Sequence, residues 1–307
     1  MNQNPIPAMD FKSGLMLVLL AAVWGGSFFF AEVALREVPP LTITLHRVVW
    51  ALPILGLILI VQGLSLPSSL RIWGAYLIMG ALNNAIPFSL IFWGQTQIES
   101  GLASILNATT AMSTAVIAGV LLKDEPLTAK KILGAALGVA GVAFIMGPEA
   151  LTGFNPANVA QLAVLAATLS YAFAGIWGRV ALSGSPPLVN AFGMLVGSTV
   201  LMIPMVFWIE GTPNLSLTAT SWSALIGLAV FSTSLAYVLY FAILARAGAA
   251  NLLLSTLLVP VFAIALGVSF LGEEMKPEAW IGFGIIAFGF AVTDGRLFAK
   301  RAKPANP

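Results

Sequence analysis

The chain has 307 residues, of which 59% are hydrophobic and only 8% are charged. Because a soluble domain usually carries about 25% charged residues, this composition excludes an ordinary water-soluble globular protein. The net charge of +2 is too small to indicate nucleic acid binding. The absence of cysteine excludes disulfides, thiolate metal sites and cysteine nucleophiles.

Ten apolar segments of membrane-spanning length follow one another along the chain. A helix needs about 20 apolar residues to cross a bilayer core of about 30 Å. We interpret the first segment as a retained helix and not a signal peptide, because it continues for a full span. The predicted spans are 14–35, 41–62, 71–94, 101–122, 130–147, 158–179, 187–209, 220–245, 248–271 and 278–294.

The basic residues predict the orientation of these spans. If the N-terminus is cytoplasmic, eleven of the 14 Lys and Arg residues lie on inner segments. Two, Arg36 and Lys276, then lie on outer loops, and Arg47 lies within the second span. Since cytoplasmic loops carry the excess of positive charge, we predict a bacterial inner-membrane protein with both termini in the cytoplasm.

The second half of the chain repeats features of the first. Glu125 matches Glu273 at an offset of 148 residues, and Trp73 matches Trp222 at an offset of 149. Five spans is an odd number, so the second repeat starts on the opposite face of the membrane. We therefore predict an all-α protein in which residues 1–150 and 151–307 form two inverted five-helix repeats around a central cavity, as in alternating-access carriers.

Two adjacent polar residues, His46 and Arg47, lie clearly within the second span. A charge at this depth costs about 2.5–3.5 kcal/mol on insertion scales and requires a reason. Arg47 can bind a substrate carboxylate, pair with Glu32, or snorkel and tether the helix to outer headgroups or to carbonyls. His46, the only histidine, is either a packed neutral side chain or a proton-coupling group.

Uncharged polar and aromatic residues fall on helices 1, 3, 4, 6, 8 and 9, where amides and hydroxyls can bind a zwitterion and rings can bind an aromatic side chain. Hydrogen bonding between helices is the alternative role of the hydroxyls. Pro87 and Pro260 are predicted hinges, because proline frees backbone carbonyls. The glycine-rich fifth and tenth helices are predicted to be scaffold or a dimer face. The predicted cavity residues are Trp24, Asn83, Asn84, Trp93, Asn107, Tyr171, Trp177, Tyr237, Tyr240, Asn251 and Ser255.

Several motifs together resemble the EamA repeat of the drug/metabolite transporter superfamily. They are the segment 22–28, Arg47, Glu125 with Gly134 and Gly141, and Glu273 with Gly282 and Gly289. Within that superfamily the chain is most similar to the YddG-type aromatic amino acid exporters. The resemblance implies ten helices, cytoplasmic termini, a cavity lined by helices 1, 3, 4, 6, 8 and 9, and efflux of aromatic and other neutral amino acids.

The predicted function is alternating-access export of neutral, preferably aromatic, amino acids such as Phe, Trp and Tyr, together with others such as Thr and Met. Export of cationic drugs or other small metabolites is the alternative, although no mid-span carboxylate is present to bind a cation. Channel function is a further alternative. We expect no enzyme activity, cofactor, metal or nucleic acid, with lipid and amino acids as partners and a monomer or weak homodimer. Because no Asp or Glu lies mid-span, facilitated transport is favoured over proton coupling.

Overall fold

The computed structural model describes residues 10–122, 127–146, 156–252 and 254–294. Within these ranges all regular secondary structure is helical, which confirms the predicted class. Eight helices are long and apolar enough to cross a membrane, and two shorter apolar helices follow them. They are α1 Phe11–Leu35, α2 Pro40–Val61, α3 Leu70–Gln95, α4 Ser100–Leu121, α5 Ala129–Met146, α6 Ala157–Ala181, α7 Pro187–Ile209, α8 Ala219–Gly248, α9 Ser255–Leu271 and α10 Pro277–Thr293.

The largest difference from the predicted spans is at the start of α9. The prediction placed this start at residue 248, where the helix breaks; helical residues follow the break as far as Leu252, and the continuous part of α9 begins at Ser255. Gly248 has a φ of 78°, which breaks the helix and which a glycine adopts without strain. Lys123, Asp124 and Glu125 lie outside the described residues, so the predicted match between Glu125 and Glu273 stays a prediction.

Two helices contain a widened π-helical turn near their middle. These turns are Ala81–Ala85 in α3 and Val230–Leu235 in α8, which begin 149 residues apart. Pro87 follows the first turn closely, and because proline has no N–H to donate to the carbonyl four residues earlier, the regular α-helical hydrogen bonds are interrupted there. In the second turn the hydroxyls of Thr233 and Ser234 donate to carbonyls five residues earlier, at 2.9 Å each. Single π turns of this kind are frequent at functional sites.

The glycines of α5 and α10 allow the two helices to approach closely. A Cβ atom on Gly134 would lie 2.6 Å from the carbonyl oxygen of Gly289, and one on Gly141 would lie 2.8 Å from that of Gly282. Residue numbers rise along α5 as they fall along α10, so the two helices are antiparallel. The glycines therefore pack within the chain, in the manner of small-residue contacts between membrane helices.

The remaining helices surround the centre of the molecule. Helix α1 packs against α8 and α9, α6 packs against α3 and α4, and α2 packs against α7. Large apolar side chains also cover the exterior: Trp208 is 90% exposed and Phe270 is 70% exposed. An exposed surface this apolar fits contact with lipid.

Carboxylates from other segments cap the starts of three even-numbered helices. Such contacts satisfy free N–H groups and place a negative charge at the positive end of the helix dipole. Hydrogen bonds from Thr218 hold the pKa of Glu37 below its ordinary value. The caps are Glu210 on Thr42 N of α2 (2.8 Å), Glu273 on Ser100 N of α4 (2.8 Å) and Glu37 on Thr218 N of α8 (3.0 Å).

Candidate functional site

A buried guanidinium lies among α1, α2 and α8. Arg47 is only 5% exposed. Its Nε donates to the hydroxyl of Thr233 at 3.0 Å, one terminal nitrogen donates to Ser27 Oγ at 2.9 Å, and the other donates to the carbonyl of Ser232 at 3.1 Å. The π turn of α8 thus presents a carbonyl and a hydroxyl side by side to the same cation.

No carboxylate balances this charge within the described part of the chain, where no Asp or Glu oxygen lies within 4.0 Å of Arg47. The guanidinium carbon lies instead 3.8 Å from the centroid of the Phe88 ring and 5.9 Å from that of Phe92. A buried charge without a counter-ion is costly, so the site favours an anionic group.

One of the roles that the sequence left open for Arg47, an ion pair with Glu32, is wrong, because no Glu oxygen of the described residues lies within 4.0 Å of the guanidinium. The side chain is enclosed by protein, and it tethers α2 to the carbonyl of Ser232 at 3.1 Å. Binding of a substrate carboxylate is the role that stays a prediction.

The adjacent residues Asn83 and Asn84 have different surroundings. Asn84 is fully buried at 0% exposure, donates to Ser198 Oγ at 2.9 Å and accepts from the Tyr237 hydroxyl at 3.1 Å. It therefore ties α3 to α7 and α8. Asn83 is half-buried and donates to the Tyr237 oxygen at 3.3 Å. Only Asn83 keeps an accessible surface in this conformation.

The aromatic candidates on α1, α6 and α8 lie in the interior. The rings of Trp24 and Tyr240 have centroids 6.0 Å apart, and Tyr240 meets Phe241 edge-on at 5.1 Å. Tyr171 is half-buried and packs against the core. The indole of Trp177 donates to the carbonyl of Ala75 at 2.9 Å, which joins α6 to α3.

Other candidates lie apart from this group. Trp93 is 42% exposed on the last turns of α3 and makes no described hydrogen bond or ring contact with the other predicted cavity residues. Asn107 precedes the interruption of α4 at Ala108 and has a buried, unpaired Oδ1. Asn251 and Ser255 are buried and donate to carbonyls three or four residues earlier, at 2.9 and 2.8 Å. The hinge candidates Pro87 and Pro260 are both buried inside their helices.

His46 is held by a tryptophan one helical turn away. The indole of Trp50 donates to His46 Nδ1 at 2.9 Å, and Trp222 meets the imidazole edge-on at 5.5 Å. An indole nitrogen can only donate, so Nδ1 is unprotonated and Nε2 carries the hydrogen. A proton on Nδ1 would place two donors face to face. This geometry disfavours the predicted coupling role.

A second polar region, absent from the predicted site, lies at the end of the bundle where α4 begins. It is a cavity of about 390 Å³ whose walls include Glu32, Arg36, Gln95, Glu99 and Glu273. Of these residues, Gln95 was not recognised from the sequence, because a single polar residue at the end of a span does not by itself indicate a site.

Comparison with known proteins shows the family. The sequence profile of the EamA-like transporter family matches residues 12–147 and again residues 158–293. The chain belongs to the EamA-like transporter family. The buried guanidinium of this EamA-like transporter is therefore shared between both matched repeats, since Arg47 and Ser27 come from the first, and Ser232 and Thr233 from the second.

Related EamA-like sequences cover almost the whole chain. The uncharacterized transporter YoaV of Bacillus subtilis is 27% identical over 281 residues, which is 91% of this chain and 95% of YoaV. A probable amino-acid metabolite efflux pump of Salmonella typhimurium is 27% identical over 296 residues, covering 92% of this chain and 95% of the pump. A solved crystal structure, 18% identical, superimposes with a TM-score of 0.67 over 95% of this chain and 99% of its own length, and shows a shared fold.

Proposed function

We propose that this multi-pass membrane transporter exports neutral, preferably aromatic, amino acids across the bacterial inner membrane by alternating access. The observation that carries the proposal is the buried Arg47 guanidinium, which has no carboxylate partner in the described residues. The carboxylate of an α-amino acid supplies the missing negative charge. The rings of Phe88 and Phe92 lie beside the cation and suit an aromatic side chain.

An inverted arrangement of the two halves is part of this proposal. The antiparallel packing of α5 and α10, the last helices of the two halves, supports it. The two π turns support the repeat itself, because they begin 149 residues apart, at the offset that relates Trp73 to Trp222. A site near the midplane between inverted repeats is the usual place for substrate in secondary carriers.

The substrate class and the direction of transport draw support from one relative. The Salmonella protein is named a probable amino-acid metabolite efflux pump, which favours amino acids and outward movement. The alternative cargo, a cationic drug, is disfavoured by the positive charge of Arg47, because like charges repel strongly at low dielectric.

The test is phenylalanine exchange by the purified protein in proteoliposomes. Labelled phenylalanine is expected to exchange, with competition by unlabelled phenylalanine and by 3-phenylpropionate, which keeps the carboxylate. Phenethylamine lacks it and should compete at least about tenfold less well, because a hydrogen bond to a charged group contributes about 1.5–3 kcal/mol. In Arg47→Met this discrimination should disappear.

The outcomes separate the two cargo classes. Tetraphenylphosphonium serves as a lipophilic cation, with a passive leak control in empty liposomes. Stronger competition by tetraphenylphosphonium or phenethylamine than by phenylalanine would replace the amino acid proposal with cation export. Ion conductance at channel rates without saturable exchange would reject a carrier.

A further inference from the structure

Gln95 lines the polar cavity, and its side-chain amide has one buried, unpaired oxygen. The side chain is 3% exposed, and its Nε2 donates to the carbonyl of Phe28 at 2.9 Å and to Glu32 at 3.2 Å. Its Oε1 is buried and has no hydrogen-bond partner. Exchange of the amide oxygen and nitrogen would place a carbonyl against two acceptor oxygens, so the network fixes the orientation. A buried acceptor of this kind is costly and requires a donor.

The surroundings of Glu32 contain too little positive charge to stabilise its ionised carboxylate. It is half-buried, and the cavity also contains the carboxylates of Glu99 and Glu273. The Glu273 carboxylate already accepts hydrogen bonds from the backbone N–H groups of Ser100, at 2.8 Å, and Gly101, at 3.1 Å. The only cation in the wall is Arg36, which is exposed and makes no described ion pair with Glu32.

Charged groups on the loop between α9 and α10 do not change the net charge around Glu32. Glu274 and Lys276 are exposed residues of opposite charge on that loop, and neither lines the cavity. Glu32 therefore receives one hydrogen bond from a neutral amide, while two further carboxylates share its cavity. Like charges at a shared site favour protonation of one of them.

We propose that Glu32 and Gln95 form a proton-binding pair on the outer side of the carrier, and that its protonation is coupled to the transport cycle. This inference rests on the proposed function only for the coupling. A proton from hydronium in the cavity bonds to a carboxylate oxygen of Glu32 and leaves a water molecule behind. The new hydroxyl donates to Gln95 Oε1, while Gln95 Nε2 keeps its bond to the other oxygen of Glu32. Both groups are then satisfied as an acid–amide pair.

A proton fits this site better than a metal ion. Within the described ranges no three His, Asp or Glu side chains are placed to hold a metal. The unpaired group is a single amide oxygen beside a carboxylate, and one hydroxyl hydrogen satisfies it. The sequence favoured facilitated transport because no Asp or Glu lies mid-span. Glu32 lies near the end of α1 and was therefore not considered as a proton site, and we propose proton coupling in place of facilitated transport.

The first experiment needs no substrate and therefore does not depend on the proposed function. Infrared spectra of the protein in lipid are recorded during acidification, and the protonated-carboxyl band is followed. Glu32→Gln should lose the component that appears first as the pH falls. Glu278→Gln, an exposed position outside the cavity, should keep it. Gln95→Leu should move it to higher frequency, because the protonated carboxyl then loses its hydrogen bonds to the amide. An unchanged first component in Glu32→Gln would overturn the proposal.

The second experiment tests coupling with labelled phenylalanine and a trapped pH dye. Phenylalanine efflux from wild-type proteoliposomes should be accompanied by proton movement in the opposite direction. Glu32→Gln mimics the protonated acid and should still exchange phenylalanine but lose the pH change. Phenylalanine flux without proton movement, or flux driven by a sodium gradient at constant pH, would overturn the coupling. Absence of any wild-type phenylalanine flux would instead reject the proposed function, and the infrared titration would still test the proton site.

Discussion

The guanidinium carbon of Arg47 lies 3.8 Å from the centroid of the Phe88 ring. The plane of the guanidinium also directs three N–H groups to acceptors on two other helices. A planar, delocalised cation with a fixed fork of donors meets both demands, whereas the compact ammonium of lysine does not. The site thus selects arginine for its shape as well as its charge.

Arg47→Lys is therefore expected to lower phenylalanine exchange by about tenfold or more, since one or two charge-assisted hydrogen bonds of about 1.5–3 kcal/mol each are lost. The measurement is the initial rate of exchange in proteoliposomes at matched protein content. Arg71→Lys, at the exposed start of α3, is the matched control and should leave the rate unchanged. Equal rates for Arg47→Lys and wild type would show that transport does not need the several N–H donors of the guanidinium.

The two asparagines of α3 should respond differently to alanine. Asn84→Ala removes a fully buried amide and leaves the Tyr237 O–H without its acceptor, whereas Ser198 keeps its bond to the Met194 carbonyl. The free energy of unfolding should therefore fall by about 1–3 kcal/mol. Asn83→Ala should lower phenylalanine exchange with little loss of stability. Thermal unfolding in detergent and exchange in liposomes measure the two effects.

A double-mutant cycle tests the contact on which this expectation depends. Asn84→Ala and Tyr237→Phe should be non-additive by about 0.5 kcal/mol or more, because each removes one partner of the same hydrogen bond. Asn84→Ala combined with Trp177→Phe, which removes a separate bond to Ala75, should be additive. Additivity in the first pair would mean that the two side chains do not interact.

The sequence predicted the helices because apolar segments of about 20 residues have few other stable solutions in a membrane. It also singled out Arg47, since a charge within a span needs a reason. It did not identify the partners of Arg47. Ser27, Ser232 and Thr233 come from two other helices, and hydroxyls are common enough in membrane helices to give no signal of their own.

The π turns and the different surroundings of Asn83 and Asn84 could not be predicted from the sequence either. Adjacent helical residues point about 100° apart, so one faces the centre and the other a neighbouring helix. Which of them does so depends on how α3 is rotated against α7, where Asn84 meets Ser198. Trp93 was predicted to line the cavity, whereas it is 42% exposed on the last turns of α3, as expected of a tryptophan near the end of a span.

His46 is expected to be a structural residue. His46→Asn keeps an acceptor near the position of Nδ1 for the Trp50 indole, whereas His46→Leu removes it. The leucine variant should therefore be less stable than the asparagine variant by about 1 kcal/mol. Both should keep the wild-type pH profile of phenylalanine exchange. A flattened profile in both variants would mean that His46 titrates during transport.

The Glu37 cap of α8 should make stability depend on pH. Hydrogen bonds from Thr218 lower the pKa of Glu37, so in the unfolded chain, where a glutamate titrates near about 4.3, the group binds its proton more readily. The stabilisation is thus complete above about pH 4.3 and is lost as the pH falls through the lower pKa of the folded state. Glu37→Gln should unfold at a lower temperature than wild type at neutral pH, with the difference shrinking below about pH 4. A constant difference at all pH values would contradict the cap.

The contact between α5 and α10 predicts opposite effects for two glycine-to-alanine changes. A Cβ on Gly141 would lie 2.8 Å from the Gly282 carbonyl oxygen, whereas nothing lies within 4 Å of a Cβ on Gly284. Gly141→Ala should therefore be destabilising by about 1–3 kcal/mol through overpacking. Gly284→Ala should be neutral or stabilising by up to about 1 kcal/mol, because alanine is the better helix former. Thermal unfolding in one detergent compares the two, and equal midpoints would show that the helices are not in close backbone contact.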